Sequence, residues 1–147
     1  MPEQTSSSIV VHAVPAAVMA VIADFESYPA WAHGVESARV IKQGQGGRAD
    51  QVHFTLDAAP IRDSYTLAYE WFGERSVTWT LVEAKLLKAM DGAYLLEDRG
   101  EGHTGVTYRL AVDIAIPLIG MLRRRAEKVI IDTALKGLKQ RAESLSR

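Results

Sequence analysis

Between Val35 and Ile114, apolar and polar side chains alternate with a period of two, the pattern of β-strands that turn one face to a dry interior and the other to water. Tyr65, Leu67, Tyr69 and Trp71 fall on one face of such a strand, with Ser64, Thr66, Ala68 and Glu70 opposite. The same alternation sets Val52, Phe54 and Leu56 against Gln51, His53 and Thr55, and Val77, Trp79 and Leu81 against Thr78 and Thr80. A last strand gathers Val106, Tyr108, Leu110, Val112 and Ile114 opposite Thr107, Arg109 and Asp113. Turn-forming clusters at Gln43 to Arg48, Ala58 to Pro60, Phe72 to Arg75 and Arg99 to Gly105 punctuate the region. The reading is of six successive strands, each about four to ten residues long.

Upstream, the β-branched run Ile9 to Val14 predicts a first strand that stops at Pro15, where a short helix opens and runs to Ala23. A second short helix follows, with Ser27 as its cap, Pro29 in its opening turn, and Gly34 in the left-handed conformation that ends it at about His33. Phe25, Tyr28 and Trp31 are placed to pack this pair against one end of the sheet. A sheet with one dry face needs an apolar cover, and the tail of the chain supplies it. From Pro117 to about Ser144, Leu118, Leu122, Ala126, Val129, Ile130, Thr133, Ala134, Leu138 and Ala142 recur at helical spacing, with Arg123, Arg124, Glu127, Lys128, Lys136, Lys139 and Gln140 between them. At ~1.5 Å per residue this helix is roughly 40 Å long, enough to cross a sheet. The predicted fold is α+β: a seven-stranded curved antiparallel sheet around a long C-terminal helix, with two short helices after the first strand. Residues 1–8 read as a polar tail and 9–147 as one ligand-binding domain.

Composition narrows the function classes. A chain of 147 residues, 48% hydrophobic and 24% charged, can bury a core without crosslinks. Its 17 basic and 18 acidic residues leave a formal charge of −1, which gives nucleic acid no basic footprint. There is no cysteine, so disulfides and thiolate metal sites are excluded. Met1 to Ser8 lacks the charged and apolar regions of a secretory signal, and a cytoplasmic protein is expected. No apolar run approaches the ~20 residues that span a bilayer, so stable membrane insertion is not expected and any contact with lipid is transient.

Particular segments carry a resemblance. They are Val11 to Trp31, with its Asp24-Phe25-Glu26-Ser27-Tyr28-Pro29-Ala30-Trp31 ending, then Thr78 to Glu83, Met90 to Glu97, and Val112-Asp113-Ile114 followed by Pro117 and the long helix. Together they resemble the START-like or Bet v 1-like (SRPBCC) superfamily and, within it, the polyketide cyclase/dehydrase and coenzyme Q-binding group. The resemblance covers nearly the whole chain. It implies a helix-grip fold, and a role as carrier, receptor or aromatase/cyclase that the fold itself does not choose between.

The candidate site follows from the inward positions. Phe54, Tyr65, Tyr69, Trp71, Trp79, Tyr94 and Tyr108 make an unusually aromatic interior, and buried tyrosines need partners for their hydroxyls, which favours a cavity over a plain core. Trp31 belongs at the cavity rim. On the helix, Met121 and Val129 line the pocket among small residues, and Arg125 lies near the apolar stripe, where its head group can guard the entrance. The Arg123 to Arg125 run with Lys128 is either a solvated helix face or a patch for anionic headgroups.

Three residues are candidates for catalysis. Asp63, in phase with Tyr65 and Tyr69, would be a base with a raised pKa if its carboxylate pointed inward. Tyr69 and His33 are the others, His33 because it ends the second short helix near a pocket mouth. His12 and His53 fall on the wet face and His103 in a turn. No histidine pair has zinc-binding spacing, so neither metal nor cofactor is expected. Gly44 to Gly47 is a hairpin turn and not a phosphate loop.

Three functions remain open. The first is binding or transport of a hydrophobic small molecule: a lipid, an isoprenoid quinone or a polyketide. The second is an aromatase/cyclase-dehydratase acting on a poly-β-ketone, and the third an interaction module with a filled core. A homodimer is a reasonable assembly on base rates alone.

Overall fold

The computed structural model describes residues 4–58, 61–114 and 120–146, with the backbone alone at 58, 61 and 120–122. Its elements run in the expected order: β1 (Thr5–Val11), α1 (Pro15–Ala23), α2 (Tyr28–Trp31), β2 (Val35–Gln43), β3 (Ala49–Ala58), β4 (Ile61–Phe72), β5 (Ser76–Ala84), β6 (Leu87–Gly100), β7 (His103–Ile114) and α3 (Gly120–Leu145). The seven strands form one antiparallel sheet in the order β1-β7-β6-β5-β4-β3-β2. Each strand from β2 to β7 is a hairpin neighbour of the next, and β1 closes against β7 through pairs such as Thr5 with Leu110 and Val11 with Thr104.

Several local expectations change. β1 begins at Thr5, so Thr5 to Ser8, half of the segment expected as a polar tail, are paired strand. Ser27 does not cap α2. It sits at φ −89°, ψ −3°, continuing a 3-10 turn over Phe25–Ser27, and its side chain makes no cap hydrogen bond. Pro29 does open α2, and Gly34 takes φ +93° as the chain turns into β2. The Gly-rich segment is a turn between β2 and β3, closed by the Gly44 N–H to the Arg48 carbonyl at 2.8 Å.

The inward faces are those that the alternation predicts: Val52, Phe54, Leu56, Tyr65, Leu67, Tyr69, Val77, Trp79, Val106, Tyr108, Leu110 and Val112 are all buried. Thr66, assigned to the wet face, is also buried, because its hydroxyl meets His53 Nδ1 at 3.0 Å on the outer side of the sheet.

α3 lies against β1 and β7 and meets α1 and α2 near its C-terminal half. Its buried stripe is Ala126, Glu127, Ile131, Leu135, Leu138 and Ala142, turned from the expected one. Ile130, Thr133 and Ala134 are only partly covered, and Val129 is 53% exposed. The helix thus has two adjoining apolar faces, one packed on the β1–β7 edge and one that does not meet the sheet. Glu127, read from sequence as outward, is fully buried; its Oε1 accepts from Thr5 Oγ1 at 2.6 Å and its Oε2 from the Val112 N–H at 2.7 Å. One carboxylate joins the helix to both strands of that edge. The expected positions Leu118 and Leu122 lie outside the described residues and side chains.

Two glycines permit close approach. At Gly92 a Cβ would stand 2.3 Å from the Trp79 indole, so the ring lies flat on β6 only because that residue has no side chain. At Gly137 a Cβ would meet the Trp31 carbonyl at 2.4 Å, so α2 rests directly on α3 there.

Candidate functional site

Where the second face of α3 stands off the sheet, an internal cavity of about 330 Å³ opens. Phe54, Leu56, Tyr65, Leu67 and Tyr69 line it from β3 and β4, Trp79 and Met90 from β5 and β6, and Tyr94, Tyr108 and Leu110 from β6 and β7. Val129, Ile130, Thr133 and Ala134 of α3 form the other wall, and Tyr28, Trp31, Ala32, His33, Val35 and Asp57 form the end. The strands supply large rings and the helix supplies small or β-branched groups. Space remains between them because the sheet curves around the helix while only the β1–β7 edge is pinned to it.

The rings touch in a continuous series. Tyr94 and Tyr108, register partners on β6 and β7, meet edge to face at 4.6 Å, and Trp79 lies 5.5 Å from each. Tyr69 continues the series at 5.8 Å from Trp79 and 4.8 Å from Phe25, while Phe54 and Tyr65 stack at 5.5 Å. Offset and edge contacts of this kind fix ring orientation. Burial pushes the Tyr65, Tyr69, Tyr94 and Tyr108 hydroxyls up from their ordinary pKa, so they are neutral donors.

Of the residues expected at the site, Trp31, Phe54, Tyr65, Tyr69, Trp79, Tyr94, Tyr108 and Val129 all line the cavity, and so does His33. Trp71 does not. Its Nε1 donates to the Ala49 carbonyl at 2.8 Å and the Arg48 guanidinium covers its ring at 4.9 Å, so it closes the β3–β4 side from outside. Arg125 is exposed and is absent from the described lining, because its position on α3 turns it to solvent. The Met121 side chain lies outside the described set.

Asp63 is a correction of another kind. It is buried but does not line the cavity. Its Oδ1 accepts the Ser64 and Lys85 N–H groups at 2.8 and 3.2 Å, and its Oδ2 those of Leu86 and Leu87, both at 2.9 Å. Burial pushes its carboxyl up, but these four donors outweigh that and hold it below the usual carboxylate range. The raised pKa expected of a base is absent.

Residues that sequence reasoning missed cluster at the mouth. Asp57 ends β3, its N–H bonded to the Gly34 carbonyl at 2.7 Å, which brings the His33 loop beside it. Its carboxylate is paired with Arg62 at 2.8 Å. Nothing in the spacing of positions 33 and 57 signals this, since the two meet only through the β2–β3 pairing. Met90 was legible: it is in phase with Tyr94 on the same strand face. His12 and His103 lie with ring centroids 4.4 Å apart, away from the cavity. Among the described residues no three metal-ligating groups converge, and no helix is long and apolar enough to cross a membrane.

A curved antiparallel sheet that grips a long C-terminal helix around an aromatic cavity defines a helix-grip container. Residues 2–143 match the family described as polyketide cyclase/dehydrase and lipid transport, and the chain belongs to that family. No curated protein sequence matches it. Among solved structures, it is similar to a START superfamily protein from Mycobacterium smegmatis, at 18% identity and a TM-score of 0.90 over 97% of this chain and 99% of that one. The Zhui aromatase/cyclase from a Streptomyces species aligns at 18% identity and a TM-score of 0.78, over 98% of this chain and 95% of that one. A protein from Thermus thermophilus aligns at 22% identity and 0.81, over 98% and 99%. At these identities the likeness is one of fold.

Proposed function

We propose that this chain binds a hydrophobic small molecule inside its cavity and carries it through water. The observation that carries the reading is the 330 Å³ space itself, walled by rings and aliphatic groups, with the half-exposed Val129 in its lining. That volume is in the range of small-molecule sites, and it counts against a core filled by its own side chains. The family description, which joins lipid transport to cyclase chemistry, agrees with a container whose cargo varies. Native mass spectrometry of gently purified protein, followed by denaturation and identification of what is released, tests it. A stoichiometric apolar molecule is the expected result. A protein that emerges empty and also fails to bind Nile red would overturn it.

A second reading, aromatase/cyclase chemistry on a poly-β-ketone, draws support from the neutral tyrosine hydroxyls, which suit a ketone oxygen, and from His33 in the cavity lining, an imidazole of the kind that serves as a general acid or base. Asp63 has no part in it. Turnover of such a substrate by the wild type, lost in His33→Gln with cargo binding intact, would favour this reading.

A further inference from the structure

We infer that the groove between α1 and the C-terminal end of α3 is a port to the cavity, and that the Trp31 indole is the gate between the two spaces. The inference rests on the binding function proposed above and names how the bound molecule comes and goes.

The groove has a volume of about 260 Å³. Ala17, Ala20 and Val21 of α1 form one side of it, and Arg141, Ala142 and Leu145 of α3 the other. Among the described residues, Trp31 alone borders both this groove and the internal cavity. One side chain is therefore the partition, and its backbone is fixed: the Trp31 carbonyl rests against Gly137, and the Ala32 N–H donates to the Tyr28 carbonyl at 2.7 Å. Any opening is a turn of the indole about its own side-chain bonds, with α2 staying in place.

The indole N–H biases that turn. Of the three tryptophans, Trp71 is bonded to the Ala49 carbonyl, whereas Nε1 of Trp31 and of Trp79 are buried with no partner. A buried donor without an acceptor is held at a cost. Trp79 has no way to relieve it, wedged on Gly92 among Tyr69, Tyr94 and Tyr108. Trp31 as a whole is only partly buried, meets the Tyr28 ring at 4.8 Å, and has space on two sides. A turn toward the groove would give its N–H water to donate to, and Asp24 lines the same space. Burial of the ring favours the closed position and the orphan donor opposes it, the balance that lets a side chain serve as a gate.

Nile red exchange, followed by stopped flow, tests the port and the gate separately. Trp31→Ala should speed uptake about tenfold or more, the factor by which a gate open about a tenth of the time or less holds it back. Ala20 is exposed in the groove and the chain has no cysteine, so Ala20→Cys labelled with N-phenylmaleimide plugs the groove at one site. The label should slow uptake and release together, about fivefold or more, and leave their ratio within about twofold of the unlabelled variant, because a port lies on the path in both directions. In the labelled protein, Trp31→Ala should then give no gain. Uptake at the unlabelled rate, or a label that weakens affinity without slowing uptake, overturns the port. A Trp31→Ala protein that is folded by circular dichroism and takes up the dye no faster overturns the gate. Failure of the wild type and the unlabelled variant alike to take up Nile red strikes at the binding function instead, and the port falls with it.

Discussion

The Asp63 carboxylate accepts the backbone N–H of Leu87 at 2.9 Å, across the strand that separates them: Asp63 is on β4, Leu87 opens β6, and β5 runs between. The intervening turn, Ala84-Lys85-Leu86, has neither glycine nor proline, and Asp63 takes the N–H groups that such a turn leaves without strand partners. The residue that looked most like a catalytic base is the fastening of a hairpin.

Asp63→Asn should therefore cost stability, by about 3 kcal/mol, since an amide keeps one acceptor and puts a donor where two N–H groups already point. Urea unfolding at neutral pH measures it. Because the folded-state carboxyl titrates below its ordinary value, its contribution is whole above the usual carboxylate range near pH 4 and is lost as pH falls through the lower folded value. Wild-type stability should drop through this acid range more steeply than that of the variant. Parallel pH profiles would contradict the assignment.

Glu127→Ala should cost about 3 kcal/mol, because it strands the Val112 N–H and the Thr5 hydroxyl in a dry interface. Glu127→Gln, able to offer one oxygen to Val112, should lose clearly less. Thermal unfolding of the pair checks the order; equal losses would mean that packing, and not the two hydrogen bonds, holds α3 to the β1–β7 edge.

All five tyrosines have pKa values raised by burial. A group shifted upward stabilises the fold fully below its unfolded value, near pH 10, and costs stability as pH rises beyond it. Ultraviolet titration should thus show no phenolate at pH 10, then one cooperative rise that coincides with loss of the far-ultraviolet helix signal. A phenolate step well before unfolding would mean that at least one ring is open to water.

Gly92→Ala should push the Trp79 indole off β6 into the cavity, shifting tryptophan emission and weakening cargo binding with little loss of secondary structure. Gly137→Ala meets backbone instead of a movable ring, so it should cost about 1–3 kcal/mol and loosen α2 from α3. Emission spectra and unfolding midpoints distinguish the two; an unchanged spectrum in Gly92→Ala would show that the ring has room to yield.

Strand faces, the turns marked by glycine or proline and the closing helix were legible in the sequence, because period-two and helical patterns are local consequences of burial on one side; the turn between β5 and β6, which has neither residue, was not. The aromatic lining followed from the same phase: Tyr65, Tyr69, Trp79, Tyr94 and Tyr108 had to share the inner face once the alternation was read. What only the tertiary structure decided was where each inward or near-inward group ends up. Trp71 shares the phase of Tyr69 but sits at the strand's far end, where Arg48 and the Ala49 carbonyl hold it outside the cavity. Glu127 is charged and looked solvated, yet strand N–H and hydroxyl donors from two distant segments make its burial tolerable. Asp63, which local pattern turned toward the cavity, is bound up with backbone instead, and Asp57, for which the pattern suggested no role, is brought to the cavity mouth by the β2–β3 pairing. Periodicity reports which side of an element is buried; which partner waits there depends on contacts between residues tens of positions apart, and those exist only after the sheet has closed around its helix.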